Sequence, residues 1–213
     1  CFDEKKAAAY PEAEEIFHRA GENFEEVYTF LSKDENPNRK KLLFSLELKD
    51  AKDLKASVLE DHLDCEQGDL PEEIFRKDLL CPRIFLEELT PYRSMIRGFF
   101  EEETKRSFAE QPERILDYLK KNITFHPEEE YDTIMATPVG VLTMKQGSPL
   151  AQKILFVAIC RSLNVAARLN PVTLEPEYYR DGEFHSVETE AAVLKEETEK
   201  MSILITFIKL LAV

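Results

Sequence analysis

The segment 147–169, GSPLAQKILFVAICRSLNVAARL, constrains the fold of this chain more than any other part of its sequence. Its apolar run at residues 154–159 is too continuous for a surface helix, which predicts a helix buried on most sides. Ser148 is suited to cap that helix, and Pro149 is suited to its first turn. Asn164 tolerates the left-handed backbone conformation in which many helices end, so the helix is predicted to stop there.

The composition of the chain narrows its class. The 213 residues are 43% hydrophobic, which is enough for a folded protein with a sizeable core. The formal net charge of -14 repels phosphate backbones, so nucleic acid is not expected as a partner. The longest apolar run, residues 203–213, contains Lys209 and is too short to cross a bilayer, so no transmembrane segment is expected.

The first half of the sequence shows apolar residues at helical spacing throughout. Five prolines mark where these segments begin or break: Pro11, Pro37, Pro71, Pro91 and Pro112. Helices are predicted within residues 11–31, 42–46, 54–63, 71–80, 82–108 (with a break at Pro91) and 112–123. We therefore expect a helical N-terminal region over residues 1–111 and a second domain over residues 112–213.

The second half of the sequence differs from the first in its pattern of residues. Residues 137–149 contain two glycines and two prolines, which predicts a loop or a short extended segment leading into the buried helix. Asp181-Gly182 is a hairpin turn signal between two candidate strands. Strands are predicted at residues 166–169, 177–179, 184–189 and 202–208. The predicted fold class is α+β, with a buried central helix packed on a small antiparallel sheet.

The cysteines indicate neither a metal site nor a reactive pair. Cys1, Cys65, Cys81 and Cys160 form no C-x-x-C pair and the four histidines are scattered, so neither zinc nor another cofactor is expected. Cys160 lies within the buried helix and is predicted to be a small core residue. Cys65 and Cys81 are predicted to be buried thiols, with a disulfide between them as the alternative.

The two ends of the sequence raise separate questions. Cys1 is either the lipid-modified cysteine of a processed extracellular lipoprotein or a boundary of the sequence, which leaves a cytoplasmic location open. Residues 201–213 are strongly β-prone and nearly uncharged, so they require a pairing partner. We expect the native chain to continue past Val213 into a β-rich domain, which makes the second domain a truncated one.

The sequence CRSLNVAARL at residues 160–169 resembles a motif of the transglutaminase-like superfamily that reads approximately R-A/S-L-G-I-P-A-R. Asn164 and Ala166 replace the Gly and the Pro of that motif. The preceding ILFVAI resembles the buried helix of the family, and the region from Leu70 resembles the helical part that precedes the core in some bacterial members. The residues that fit the motif are Arg161, Ser162, Leu163, Val165, Ala167 and Arg168.

This resemblance implies a papain-like site of Cys, His and Asp. In the family a thiolate at the start of the central helix attacks an amide carbonyl, and the His serves as base and then as acid. Counting back from Arg161 places Pro149 at the cysteine, and proline is no nucleophile. The adjacent Ser148 is the candidate nucleophile, although its role as an N-cap requires no catalysis.

The base of such a site is represented by a single downstream histidine. His185 is the only histidine that follows the central helix, and Glu188 or Glu190 would orient it. The alternative is a half-exposed histidine on a strand whose side chains alternate between two faces. The candidate catalytic set is therefore Ser148, His185 and Glu188.

Three functional interpretations of the sequence remain open. The sequence predicts a transglutaminase-like domain that has lost catalysis and binds a peptide, a protein or a glycan. The alternative is an active papain-like acyl-transfer enzyme or peptidase, whose nucleophile is displaced to Ser148 or to Cys81 beside Arg83. A structural spacer is the third.

Overall fold

The computed structural model describes residues 3–125 and 136–187. Short helices fill the first half: α1 (Glu4–Ala7), α2 (Glu14–Ala20), α3 (Phe24–Ser32), α4 (Asn38–Leu43), α5 (Ala56–His62) and α6 (Glu72–Ile74). A π-helix (Phe75–Leu80) continues α6, and 3-10 turns lie at Pro11–Ala13, Gly21–Asn23 and Leu48–Lys52. The second half carries α7 (Tyr92–Phe99), α8 (Glu102–Glu110), α9 (Glu113–Asn122), α10 (Pro138–Met144) and α11 (Pro149–Ser162).

Two small sheets accompany the later helices. β1 (Thr124–Phe125) and β2 (Gln146–Gly147) pair in parallel just before α11. β3 (Ala167–Leu169), β4 (Pro176–Arg180) and β5 (Glu183–Ser186) form an antiparallel sheet in the order β3-β4-β5. The fold is therefore α+β, with a small antiparallel sheet beside a buried helix, as the sequence predicts.

The helix α11 forms the centre of the second half. Every residue from Ala151 to Ser162 is buried, because α11 packs against helices α7, α9 and α10 and against strands β3 and β4. Ala167, Leu169 and Tyr178 turn one face of the sheet toward it. The opposite face, with Tyr179, packs on the N-terminal half.

The buried apolar side chains form two clusters. One joins residues of the N-terminal half from Ala7 to Leu80, with Ala166 added from the loop before β3. The other joins residues from Tyr92 to Val187 around α11. The boundary at residues 111 and 112 stays a prediction. Within the described ranges, none of the helices is both long enough and apolar enough to span a membrane.

Buried arginines join the two clusters. Arg93 is fully buried, and its guanidinium donates to the carbonyl of Arg161 at 2.6 Å, to the carbonyl of Leu79 and to Nδ1 of His62 at 3.1 Å. Arg161 donates to the carbonyls of Cys81, Arg83 and Ala167 at 2.7–2.9 Å. Because α11 ends here, a cation is also favoured by the negative end of the helix dipole.

The helix predicted over residues 82–108 needs a correction. Residues 82–91 form no helix, although Ile84, Phe85 and Leu89 have helical spacing. The carboxylate of Glu87 accepts from the backbone N–H groups of Ile84 and Phe85, both at 2.8 Å, and so offers the chain an alternative to a helix.

The segment 137–149 is the second correction, because most of it is helical. Thr137 caps α10 by accepting from the N–H of Gly140 at 3.2 Å, and Pro138 occupies the first turn. Lys145, at φ 56°, ends that helix in the left-handed region. The Thr-Pro pair is the same start signal as Ser148-Pro149, and two glycines masked it in the sequence.

Three smaller predictions concern a helix, two cysteines and a strand. The predicted helix over residues 11–31 is divided at Gly21 into α2 and α3. Cys65 and Cys81 are free thiols, so the alternative of a disulfide between them is wrong. The predicted strand at residues 202–208 lies outside the described residues.

Asn164 ends α11 in the left-handed conformation, at φ 63°, as its sequence position predicts. Its side-chain oxygen accepts from the N–H of Glu66 at 2.9 Å, and its amide nitrogen donates to the carbonyl of Glu66 at 3.2 Å. Asparagine thus supplies a link to the N-terminal half that glycine lacks.

This link predicts an order of stability at position 164. Asn164→Gly loses both bonds to Glu66 but keeps the backbone unstrained, so we expect a loss of about 1 kcal/mol in the free energy of unfolding. Asn164→Ala adds left-handed strain, for a loss of about 2 kcal/mol. Urea unfolding at pH 7 measures both. An alanine variant as stable as the glycine variant would contradict the strain.

Candidate functional site

The start of α11 is built for capping. The hydroxyl oxygen of Ser148 accepts from the backbone N–H of Ala151 at 3.2 Å, and Pro149 follows at the first helical position. Close packing favours Gly147, because a Cβ there would lie 3.1 Å from Cγ1 of Val141. The side chain of Ser148 is therefore held in the geometry of an N-cap.

An ion pair lies one turn into α11. Lys153 is buried, and its ammonium lies 2.7 Å from Oε1 of Glu175 in the loop before β4. Lys153 follows Pro149 by four residues, so the two side chains share one face of the helix. An ion pair thus links the face of α11 that carries Pro149 to the loop before β4.

The structure places His185 on β5 against Tyr178 of β4. The two rings stack with centroids 5.4 Å apart and planes 22° apart, and Nε2 of His185 lies 3.1 Å from the carbonyl oxygen of Arg180. His185 is half-buried. This is the environment of a strand histidine packed on its cross-strand neighbour.

Tyr178 links His185 to helix α9, away from the start of α11. Its hydroxyl donates to the carboxylate of Glu113 in α9. Burial, together with that carboxylate, raises the pKa of Tyr178 to about 12. The hydrogen bond from Tyr178, with the nearby Arg180 and His185, lowers the pKa of Glu113, although partial burial acts against them. Both groups therefore keep their ordinary charge states at neutral pH.

Ser148 and His185 lie at different ends of α11. His185 pairs with Tyr178, which pairs with Ala167, and the carbonyl of Ala167 accepts from Arg161 in the last turn of the helix. At 1.5 Å per residue, Ser148 and Arg161 are separated by about 20 Å along the axis. Among the described residues no hydrogen bond joins Ser148 to His185, and Glu188 and Glu190 lie outside them.

Of the described cysteines, Cys81 and Cys160 are buried and Cys65 is half-buried. Cys160 is buried in α11, as predicted, and burial raises the pKa of its thiol. Burial likewise raises the pKa of the Cys65 thiol, which is half-buried. Cys81 is buried, and its Sγ lies 3.5 Å from the carbonyl oxygen of Ser45. Thiols shielded from solvent in this way are poor nucleophiles.

Sequence reasoning missed Lys153 and its partner Glu175. The available signal was a lysine directly before the apolar run of a helix predicted to be buried on most sides, since a buried ammonium requires a counter-charge. The identity of Glu175 had no comparable signal, because the partner comes from a loop 22 residues away.

Comparison with protein families agrees with this architecture. Residues 93–189, which contain α11 and the three-stranded sheet, match the family model described as the transglutaminase-like superfamily. Comparisons with curated proteins and with solved structures gave no match. The resemblance in residues 160–169 is thus confirmed by a match over a longer segment, and the chain contains a domain of the transglutaminase-like superfamily.

Proposed function

We propose that this transglutaminase-like domain is catalytically inactive and serves as a binding module for a peptide, a protein or a glycan. The observation that carries the proposal is the start of α11. Pro149 occupies the position that the family resemblance gives to the catalytic cysteine, and Ser148 is engaged as the N-cap.

The surroundings of Ser148 support the same proposal. Activation of a serine hydroxyl requires a general base within about 3 Å of it. The histidine available downstream, His185, is stacked on Tyr178 and aligned with the far end of α11. The charge pair of Lys153 and Glu175 occupies the helix face below Pro149 and supplies no imidazole.

The alternative is acyl-transfer catalysis with a displaced nucleophile. Cys81 would have to be exposed, ionised and close to His185. In the structure it is buried and its backbone carbonyl accepts from Arg161, while its Sγ faces the carbonyl of Ser45. The observed surroundings of Cys81 therefore favour the non-catalytic proposal.

Reactivity profiling tests the proposal. The native protein is treated with a fluorophosphonate probe and with iodoacetamide from pH 6 to 9, and labelled residues are mapped by mass spectrometry. We expect no fluorophosphonate adduct on Ser148, because no residue in the described ranges places a general base beside its hydroxyl. We expect Cys81 and Cys160 to react slowly in the native protein and at ordinary thiol rates after unfolding, because burial protects them.

Two variants make this result decisive. Rapid labelling of Ser148 in the native protein that disappears in His185→Ala would establish a working nucleophile and overturn the proposal. Rapid alkylation of Cys81 at neutral pH, lost in Cys81→Ser and slowed in His185→Ala, would overturn it in favour of the displaced thiol.

A further inference from the structure

A groove of about 380 Å³ lies at the C-terminal end of α11, at the opposite end of that helix from Ser148. Its volume falls in the range of ligand sites in proteins. The side chains that matter here, which define what we call the basic groove, are Arg97, Glu102, Lys105, Arg106 and Leu163.

The charge of the basic groove is opposite to that of the chain as a whole. Three cations and one carboxylate line it, whereas the formal net charge of the protein is -14. At physiological ionic strength the Debye length is about 8 Å, so distant acidic residues are largely screened. The carboxylates of Asp64 and Glu102 offset the charges of Arg97 and Lys105, which leaves the positive charge of Arg106 in the groove. A small anionic ligand therefore meets a locally positive site.

Two of the cations are held in place by the protein. Arg97 donates to the carbonyl of Ser162 at 2.5 Å and to the carbonyl of Asp64 at 2.6 Å, and it pairs with the carboxylate of Asp64. Lys105 donates to the carbonyl of Arg97 at 3.2 Å and pairs with Glu102. These bonds fix the two side chains without filling the groove.

The third cation has a different status. Arg106 is exposed, and within the described part of the chain its guanidinium makes neither a hydrogen bond nor an ion pair. Glu102, Lys105, Arg106 and Ala109 recur at helical spacing along one face of α8, while Phe108 turns to the core. The polar face of α8 is thus presented across the groove to Leu163 at the end of α11.

We propose that the basic groove binds an acidic peptide segment, with a carboxylate on Arg106 and Lys105 and an apolar side chain against Leu163. The planar fork of Arg106 matches a carboxylate with two parallel hydrogen bonds. The apolar wall and the overall negative charge of the protein favour a short acidic peptide over a long polyanion. This inference rests on the proposed function and names the ligand class of that binding module.

The test is a binding titration of the full chain with a fluorescent, end-blocked peptide Glu-Leu-Asp-Glu, followed by anisotropy. Its neutral counterpart, Gln-Leu-Asn-Gln, has nearly the same shape. We expect the acidic peptide to bind and the neutral one to bind at least about fivefold more weakly. Arg106→Gln should weaken the acidic peptide by about fivefold or more. Arg19→Gln, at an exposed arginine of α2, removes the same charge elsewhere and should leave Kd within about twofold.

Three results would overturn the inference: equal affinity for the two peptides, equal affinity of the Arg106→Gln variant and the native protein, or no binding up to about 1 mM peptide. Complete displacement of the peptide by millimolar inorganic phosphate would also overturn it, since the site would then be a general anion site. Failure of this inference can be told apart from failure of the proposed function. A reactive Ser148 contradicts the proposed function, whereas peptide titration of the Ser148→Ala variant still measures binding to the basic groove.

Discussion

Replacing Arg93 with alanine is expected to lower the free energy of unfolding by about 3–4 kcal/mol, the largest effect expected of a single substitution here. Arg93 is fully buried, and its removal leaves three acceptors without their donor: the carbonyls of Arg161 and Leu79 and the Nδ1 of His62. Relief from burying a guanidinium offsets part of this loss, which keeps the expected value below the sum of three unsatisfied groups. Urea unfolding at pH 7 measures the change.

Two companion variants sharpen the measurement. Arg93→Lys keeps the charge but not the planar fork, so we expect an intermediate loss of about 2 kcal/mol, and this variant remains measurable if the alanine variant does not fold. Arg106→Ala removes an exposed arginine and should change stability by less than about 0.5 kcal/mol. An Arg93→Ala protein within about 1 kcal/mol of the native protein would contradict the role given to these hydrogen bonds.

The second large effect is a loss of stability at acidic pH that depends on His62. Burial, with a smaller contribution from the adjacent Arg93, lowers the pKa of His62 to about 3 from an ordinary 6.5. The Nδ1 of His62 accepts from Arg93 while its Nε2 donates to the carbonyl of Thr90 at 2.9 Å, so the neutral ring is the bonded form. Below pH 6.5 the unfolded chain binds a proton at this residue and the folded chain does not. Stability at this residue is therefore lost as the pH falls from 6.5 toward 3, by about 1.4 kcal/mol per pH unit.

The measurement compares native protein with His62→Gln from pH 6.5 to pH 5. Glutamine does not titrate, so across this window the native protein should lose about 2 kcal/mol more than the variant, even though the variant starts less stable. Burial raises the pKa of Asp78, which acts in the opposite direction, but that contribution is common to both proteins and cancels in their difference. Parallel pH profiles of the two proteins would show that His62 is not held neutral.

The parts of the fold that the sequence predicts correctly are those in which local signals suffice. Ser148 and Pro149 start α11, Asn164 ends it, and Asp181-Gly182 turns the hairpin between β4 and β5. Each of these signals acts within a few residues of the structure it creates. The helix predicted from residue 82 failed because a side chain, that of Glu87, competes for the backbone donors.

The connections that position the candidate site depend on distant partners. Arg93 bonds to residues 14 and 68 positions away, and Asn164 bonds to Glu66 at a separation of 98. The spacing of apolar residues indicates that Tyr92 and Ile96 face the core. It does not indicate that the charged side chain of Arg93, between them in the sequence, is buried as well. The sequence therefore indicates a transglutaminase-like core with a proline at the start of its central helix. It does not indicate the hydrogen bonds of Arg93 and Arg161, which we call the polar joint between the two halves of the protein.

Apart from Nδ1 of His62, the acceptors that Arg93 and Arg161 bond to are main-chain carbonyls, and this determines which positions tolerate substitution. Arg93 and Arg161 bond to the backbone oxygens of Leu79, Cys81, Arg83 and Ala167, atoms that every amino acid carries. As far as these bonds are concerned, the acceptor positions are free to exchange their side chains while the joint persists. The two donors lack this freedom, since arginine alone offers a fork of five N–H groups. The side-chain requirement of these bonds between the two halves of the protein is thereby concentrated in Arg93, Arg161 and His62.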